Sequence, residues 1–131
     1  MDWETVAPVK ATAVKLDRGD GTQRWYSAPM GQQLAAPLTG SEALIETRLV
    51  LPDSQPDHVR YVIEVSVDGQ VVDWRSLTAT GDTTARFNGR RVGDKDRTTV
   101  PLKPGVHLVG VKLVAGHSSE LLVRFRQQDT P

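Results

Sequence analysis

Apolar residues recur at every second position through most of this chain, and that period restricts its fold more than any other feature. Val59, Tyr61, Ile63, Val65 and Val67 alternate with Arg60, Val62, Glu64 and Ser66. A run of this kind has one apolar face as a strand and none as a helix. Asp68-Gly69 follows, and Gln70-Val71-Val72-Asp73-Trp74-Arg75 returns. Asp-Gly between two β-rich runs marks a hairpin, because a type I′ turn needs φ > 0 at both central residues. A two-residue turn pairs Val67 with Gln70, Val65 with Val72, Ile63 with Trp74 and Glu64 with Asp73. Trp74 then joins the apolar face.

A second hairpin follows the same logic. Asn88-Gly89 separates Thr84-Ala85-Arg86-Phe87 from Arg90-Arg91-Val92. Phe87 meets Arg90, Arg86 meets Arg91, and Ala85 meets Val92, so two arginines face each other across the strands. Further strands are expected at residues 43–51, 97–102, 106–115 and 120–127, and at 9–16 and 23–27. Residues 31–40 read as a loop, and 28–29 and 52–56 as proline-bearing connections. Eight or nine strands with this spacing predict an all-β fold, an antiparallel β-sandwich or jelly roll. Its core is expected to hold Ile45, Leu49, Tyr61, Ile63, Val65, Trp74, Val109, Val111, Leu121, Val123 and Phe125.

At 131 residues the chain is expected to be one domain over 1–131. It has no cysteine, which excludes disulfides, thiolate metal sites and a cysteine nucleophile. Sixteen basic residues balance sixteen acidic ones, which argues against binding nucleic acid by bulk charge. No apolar run approaches the ~18 residues of a membrane span. Met1-Asp2-Trp3-Glu4 carries no basic or apolar region, so no signal peptide is expected.

The second half has a recognisable cadence. Val65-Ser66-Val67-Asp68-Gly69 leads to Phe87-Asn88-Gly89-Arg90, then to Val100-Pro101-Leu102-Lys103-Pro104-Gly105-Val106-His107 and a closing strand from Leu121. Over residues 59–126 this resembles galactose-binding-like jelly rolls and the carbohydrate-binding domains of the anthrax protective-antigen type. The resemblance implies a non-catalytic, carbohydrate-binding accessory module of a larger protein, in an extracellular or periplasmic setting.

No constellation points to an enzyme. Serines are plentiful, but none lies in Gly-x-Ser-x-Gly. His58, His107 and His117 are too far apart in sequence to suggest a metal site. Asp17-Arg18-Gly19-Asp20-Gly21-Thr22 reads first as a tight turn. Asp17 and Asp20 are its candidate calcium ligands, although calcium wants six to eight oxygens, and it also contains the adhesive tripeptide Arg-Gly-Asp.

The candidate ligand-binding residues lie at one end of the sandwich: Trp25, Tyr26, Asp82, Asn88 and Arg90. Adjacent strand residues point to opposite faces, so one ring of the Trp25-Tyr26 pair is expected in the core and the other outside as a sugar platform. Arginine outnumbers lysine eleven to five. Arg48, Arg60, Arg75, Arg86, Arg91, Arg124 and Arg126 are expected on solvated faces that also carry Glu46, Glu64 and Asp73. Such a face keeps a protein soluble, or docks an acidic glycan or a partner protein. The expected partner is a glycan or a protein surface, with no nucleic acid and no membrane insertion. The alternative function is a structural or assembly domain without a small-molecule site.

Overall fold

The computed structural model describes residues 3–19, 21–51, 58–116 and 120–128. The described residues form eleven strands and no helix: β1 (Trp3–Val6), β2 (Ala13–Asp17), β3 (Thr22–Pro29), β4 (Gln33–Leu38), β5 (Glu42–Leu49), β6 (His58–Val67), β7 (Gln70–Phe87), β8 (Arg90–Gly93), β9 (Asp96–Pro101), β10 (His107–Gly116) and β11 (Glu120–Gln128). All the pairings are antiparallel. The all-β antiparallel sandwich is therefore as the alternation requires, with more strands than the eight or nine expected. Among the described residues no helix is long and apolar enough to cross a membrane.

The strands make two layers joined by one long strand. The first sheet runs β9-β5-β11-β3-β2, with β1 also on β11; the second runs β4-β10-β6-β7. The early part of β7 pairs with β6 in the second sheet, and its last residues pair with β2 and β8 in the first. Residues 70–80 therefore form an edge of the second sheet, while 82–93 fold as a hairpin against the first.

The main core lies between the layers. Ile45, Leu49, Tyr61, Ile63, Val65, Val109, Val111, Leu121, Val123 and Phe125 are all buried in one cluster, as the alternation predicts. Each such side chain contributes about 1.5–3 kcal/mol on leaving water. Tyr61 carries the core's polar element: its hydroxyl donates to Asp96 Oδ2 at 2.6 Å and lies 2.9 Å from Thr47 Oγ1. Burial, reinforced by the Asp96 carboxylate, raises the Tyr61 phenol well above its ordinary value.

Residues 33–38 correct the expectation of a loop over 31–40. Leu34, Ala36 and Leu38 alternate into the core, and among the described residues the one strand partner of β4 is β10. Pro37 is tolerated because an edge strand has a side that needs no N–H donor.

A second cluster occupies the far face of the first sheet. Leu16, Trp25, Val50, Ala85, Phe87, Val92 and Leu122 are buried there, under the 82–93 hairpin. Val50 bridges Val92, and the Leu51 N–H donates to Arg91 O at 2.9 Å. This cover buries Arg48, whose guanidinium donates to Asp82 Oδ2 and Gly93 O; Glu46 is buried as well, and both burials run contrary to the expectation of an open charged face. Both predicted turns have left-handed backbones: φ is 52° and 83° at Asp68 and Gly69, and 50° and 76° at Asn88 and Gly89. The expected Phe87–Arg90 and Arg86–Arg91 pairs form, but the ladder shifts beyond them instead of continuing to Ala85 and Val92.

Candidate functional site

The β6–β7 hairpin starts in the expected register and then leaves it. Val67 pairs with Gln70 and Ser66 with Val71, but Val65 pairs with Asp73, leaving Val72 as an extra residue. A bulge of one residue reverses the facing of everything beyond it. Glu64 therefore stands opposite Trp74, and Ile63 opposite Arg75. The expected Ile63–Trp74 and Glu64–Asp73 pairs do not form. Trp74 leaves the core, and 63% of it is exposed. Asp73 and Arg75 turn toward the interior flank, a common means of protecting an edge strand from pairing with another chain.

Trp74 ends a row that crosses the outer face of the second sheet. Gln33 pairs with Lys112, Lys112 with Glu64, and Glu64 with Trp74, one residue from each of four strands. At about 4.8 Å per strand the row spans roughly 14 Å. The Trp74 indole N–H donates to Glu64 Oε2 at 3.1 Å, and Lys112 Nζ lies 3.5 Å from Glu64 Oε1. The neighbouring row holds Ala35, Gly110, Ser66 and Val71. Gln33 lies across it, with its amide N–H donating to Ser66 Oγ at 3.4 Å. A Cβ on Gly110 would displace the Gln33 amide and the Ser66 hydroxyl from this arrangement. The face thus offers a broad exposed ring, a carboxylate, an ammonium and an amide.

The residues singled out from sequence are dispersed. Trp25 and Tyr26 do point to opposite faces, but both faces are covered: Trp25 is 0% exposed and Tyr26 9%. Trp25 lies in the second cluster, with the Arg124 guanidinium 4.2 Å and that of Arg48 5.3 Å from its ring centroid. Neither ring is an outward platform, which corrects that expectation. Asp82 accepts from Arg48 at 2.9 Å and from both the N–H and the hydroxyl of Thr84. Burial opposes its ionisation, but these donors outweigh it and hold the carboxyl down at about 2. Arg90 lies 3.6 Å from Glu120. Asn88 lines a depression of about 600 Å³ with Asp17 and Lys15. Asp17 Oδ1 accepts the Gly19 N–H at 2.9 Å, the hydrogen bond of a tight turn. Asp20, His117 and residues 52–56 lie outside the described residues. Among the described residues, no three His or carboxylate side chains are grouped to hold a metal.

The arginines expected on open faces divide between settings. Glu46, at 0% exposure, collects four cations on the outer face of the first sheet: Arg124 at 2.9 Å, Lys95 at 3.2 Å, and Arg97 and Arg126 at 3.7 Å. Burial, opposed by the Glu46 charge, lowers the Arg124 pKa. Arg75 instead pairs with Asp73 at 2.6 Å beside a cleft of about 430 Å³. Val67, Val100 and Leu102 line this cleft, together with Lys103 and His107. His107 Nδ1 lies 2.6 Å from Asp68 Oδ2, and its Nε2 lies 2.9 Å from Lys103 O. Two acceptors favour the imidazolium, and the Asp68 hydrogen bond raises the His107 pKa above its ordinary value.

Sequence reasoning missed Trp74, Lys112 and Gln33 as members of one row. The alternation of residues 70–75 groups Val72 and Trp74 against Asp73 and Arg75 and so sends Trp74 inward, whereas the bulge sends it outward. The bulge at Val72 breaks that alternation, and no residue type there demands one.

No family model matches the chain, and no curated protein does. Solved structures share its fold. The C-terminal CBM6 of LamC, a marine laminarinase from Zobellia galactanivorans, matches 95% of this chain and 98% of its own, with a TM-score of 0.52 and 12% identity. The Agl-KA catalytic domain matches 100% of this chain with a TM-score of 0.59 and 17% identity. BtGH115A, a GH115 4-O-methyl-alpha-glucuronidase with specificity for decorated arabinogalactans, matches 98% with a TM-score of 0.51 and 14% identity. The chain spans only 28% and 18% of the length of those last two. At these identities the likeness is one of fold: a β-sandwich of the kind seen in a carbohydrate-binding module.

Proposed function

We propose that this chain is a non-catalytic glycan-recognition module, accessory to a larger extracellular or periplasmic protein, and that it reads sugar on the outer face of the second sheet. The observation that carries this reading is the exposed Trp74 ring beside Glu64. An indole face packs against the C–H face of a pyranose, and the carboxylate, Lys112 and the Gln33 amide bond its hydroxyls. Trp74 takes the stacking role that sequence alone suggested for the Trp25-Tyr26 pair. Asn88 and Arg90 contribute polar contacts at a hairpin tip without an exposed ring. Sandwich modules of this fold occur as a CBM6 and within glycoside hydrolase chains, and that company supports the reading. A shallow sheet face makes for modest affinity, on the order of 0.1–1 mM or roughly −4 to −5.5 kcal/mol. A glycan array followed by NMR titration of its hits tests the reading. Shifts of the Trp74 indole N–H with neighbours at residues 64 and 112 are expected.

A second reading, an assembly domain, draws on one observation. Among the described residues, residues 70–79 of β7 have a strand partner on one side, β6, and none on the other. Strand addition by another chain at that edge would appear as self-association or partner capture, with no glycan response.

A further inference from the structure

The cations that gather on Glu46 outnumber it, and the reading above gives them no task. Arg97, Glu46 and Arg124 stand in one row across β9, β5 and β11. Arg126, two residues along β11, shares their face, and Lys95 lies just ahead of β9. All four reach the same carboxylate, at distances between 2.9 and 3.7 Å. Four cations therefore converge on one carboxylate, and most of their charge is left unbalanced. The next carboxylate on this face of β5, Glu42, is four residues away, roughly 14 Å along the strand. Asp96, between Lys95 and Arg97, turns to the opposite face, where it accepts from Tyr61 and feels the Asp94 charge.

The four cations are not equally committed. Arg124 gives Glu46 Oε1 both its Nε, at 3.1 Å, and its Nη2, at 2.9 Å, and packs over Trp25. Arg126 donates from Nη2 to Trp3 O at 3.2 Å. Lys95 and Arg97 make ion pairs with Glu46, and among the described residues their side chains make no hydrogen bond. The Arg97 side chain is 63% exposed. Thr99 and Thr5 stand at either end of the neighbouring row, which holds Arg126. Trp3, two residues before Thr5 on the same face, is half-buried.

An anion docking here meets donors from more than one direction, Lys95 and Arg97 at the β9 edge and Arg126 from β11. A planar carboxylate is matched by a single arginine fork, and Arg124 already gives its fork to Glu46. A sulfate ester presents three acceptor oxygens, as a phosphate does, and so engages cations from both strands.

We propose that this face of the first sheet binds a sulfate ester of a glycan, with Lys95 and Arg97 as its chief donors, Arg126 supplying charge and the Trp3 ring packing against a neighbouring sugar. The oxyanion preference stands on the cations; that a sugar carries it rests on the glycan reading. The Trp74 face has no such excess, since Lys112 and Glu64 pair with each other there, so the two faces differ in the sugars they take.

The test is an NMR titration of the full chain with a chondroitin sulfate hexasaccharide, its desulfated counterpart, inorganic sulfate and a short oligothymidylate. The desulfated chain keeps the sugar sequence and its carboxylates, so it isolates the sulfate. The sulfated hexasaccharide should shift residues 95, 97 and 126 and the Trp3 indole N–H, and each of the other three probes should bind there at least tenfold more weakly. Lys95→Gln combined with Arg97→Gln should weaken binding of the sulfated chain at least tenfold. Its melting temperature should stay near that of wild type, because Arg124 and Arg126 still neutralise Glu46. Should the double variant lose stability, Arg97→Gln alone, at an exposed position, should still weaken binding at least threefold. Trp74→Ala should leave the shifts at 95, 97 and 126 intact. Absence of those shifts with the sulfated hexasaccharide would overturn the proposal, and would leave the Trp74 reading standing wherever a glycan shifts residues 64, 74 and 112. Equal binding of the desulfated chain, inorganic sulfate or oligothymidylate at this face would also overturn it.

Discussion

Trp74 stands directly across the β6–β7 ladder from Glu64, and its indole N–H is held by that carboxylate at 3.1 Å. The pair depends on a single extra residue, Val72, three positions past the turn. With Val72 absorbed into the ladder, Trp74 would be core and Asp73 would oppose Glu64. With Val72 bulged, the like-charge pair disappears and the ring becomes surface.

The turn that begins this hairpin is the most local point of failure. Gly69 has φ of 83°, and a Cβ there would meet nothing within 4 Å. The cost of Gly69→Ala is then one of backbone conformation alone, about 1 kcal/mol. Denaturant titration should show that loss without a change in slope. An unchanged midpoint would mean that the left-handed turn is not required.

Glu46→Gln should be severe despite being nearly isosteric. The carboxylate is fully buried and neutralises cations from β9, β11 and the residue just before β9. Removing one side of a buried ion network costs about 3–5 kcal/mol. Chemical denaturation measures it directly; a loss under about 1 kcal/mol would mean that solvent already screens these charges.

Stability should depend on pH through His107 and Asp68. Asp68 raises the His107 pKa, so that contribution is complete below the unfolded value near 6.5 and is lost as pH rises through the folded value. His107, with the Leu108 N–H, lowers the Asp68 pKa. That contribution is present above the ordinary carboxyl value and is lost as pH falls through the folded one. The melting temperature should therefore decline from mildly acidic toward alkaline pH, and His107→Gln should flatten that limb. An identical decline in the variant would assign it to other groups.

The core could be read from the sequence because burial on one face of a sandwich leaves a period of two, and residues 59–67, 107–113 and 121–125 obey it. The two turns could be read because Asp-Gly and Asn-Gly state their backbone geometry locally. The exposed face could not, because facing beyond the turn depends on whether Val72 is counted in the ladder. Trp25-Tyr26 misled for a related reason. Alternation correctly sent the rings to opposite faces, but nothing local reveals that a distant hairpin at 82–93 covers the second face. Arg48 was hidden by that cover and Glu46 by the cations that surround it, while β4 was missed because its short Leu34-Ala36-Leu38 pattern is interrupted by Pro37.

The central claim is that Trp74 serves binding and not folding, and one paired measurement tests it. Trp74→Ala and Ile63→Ala are compared for unfolding free energy, and Trp74→Ala is titrated with any glycan that binds the wild-type chain. Ile63 is fully buried, and its truncation should cost about 2–5 kcal/mol. Trp74→Ala should stay within about 0.5 kcal/mol of wild type, as changes at surface positions usually do, and should abolish glycan binding. A Trp74→Ala protein that unfolds as readily as Ile63→Ala, or that binds glycan with undiminished affinity, would contradict the account.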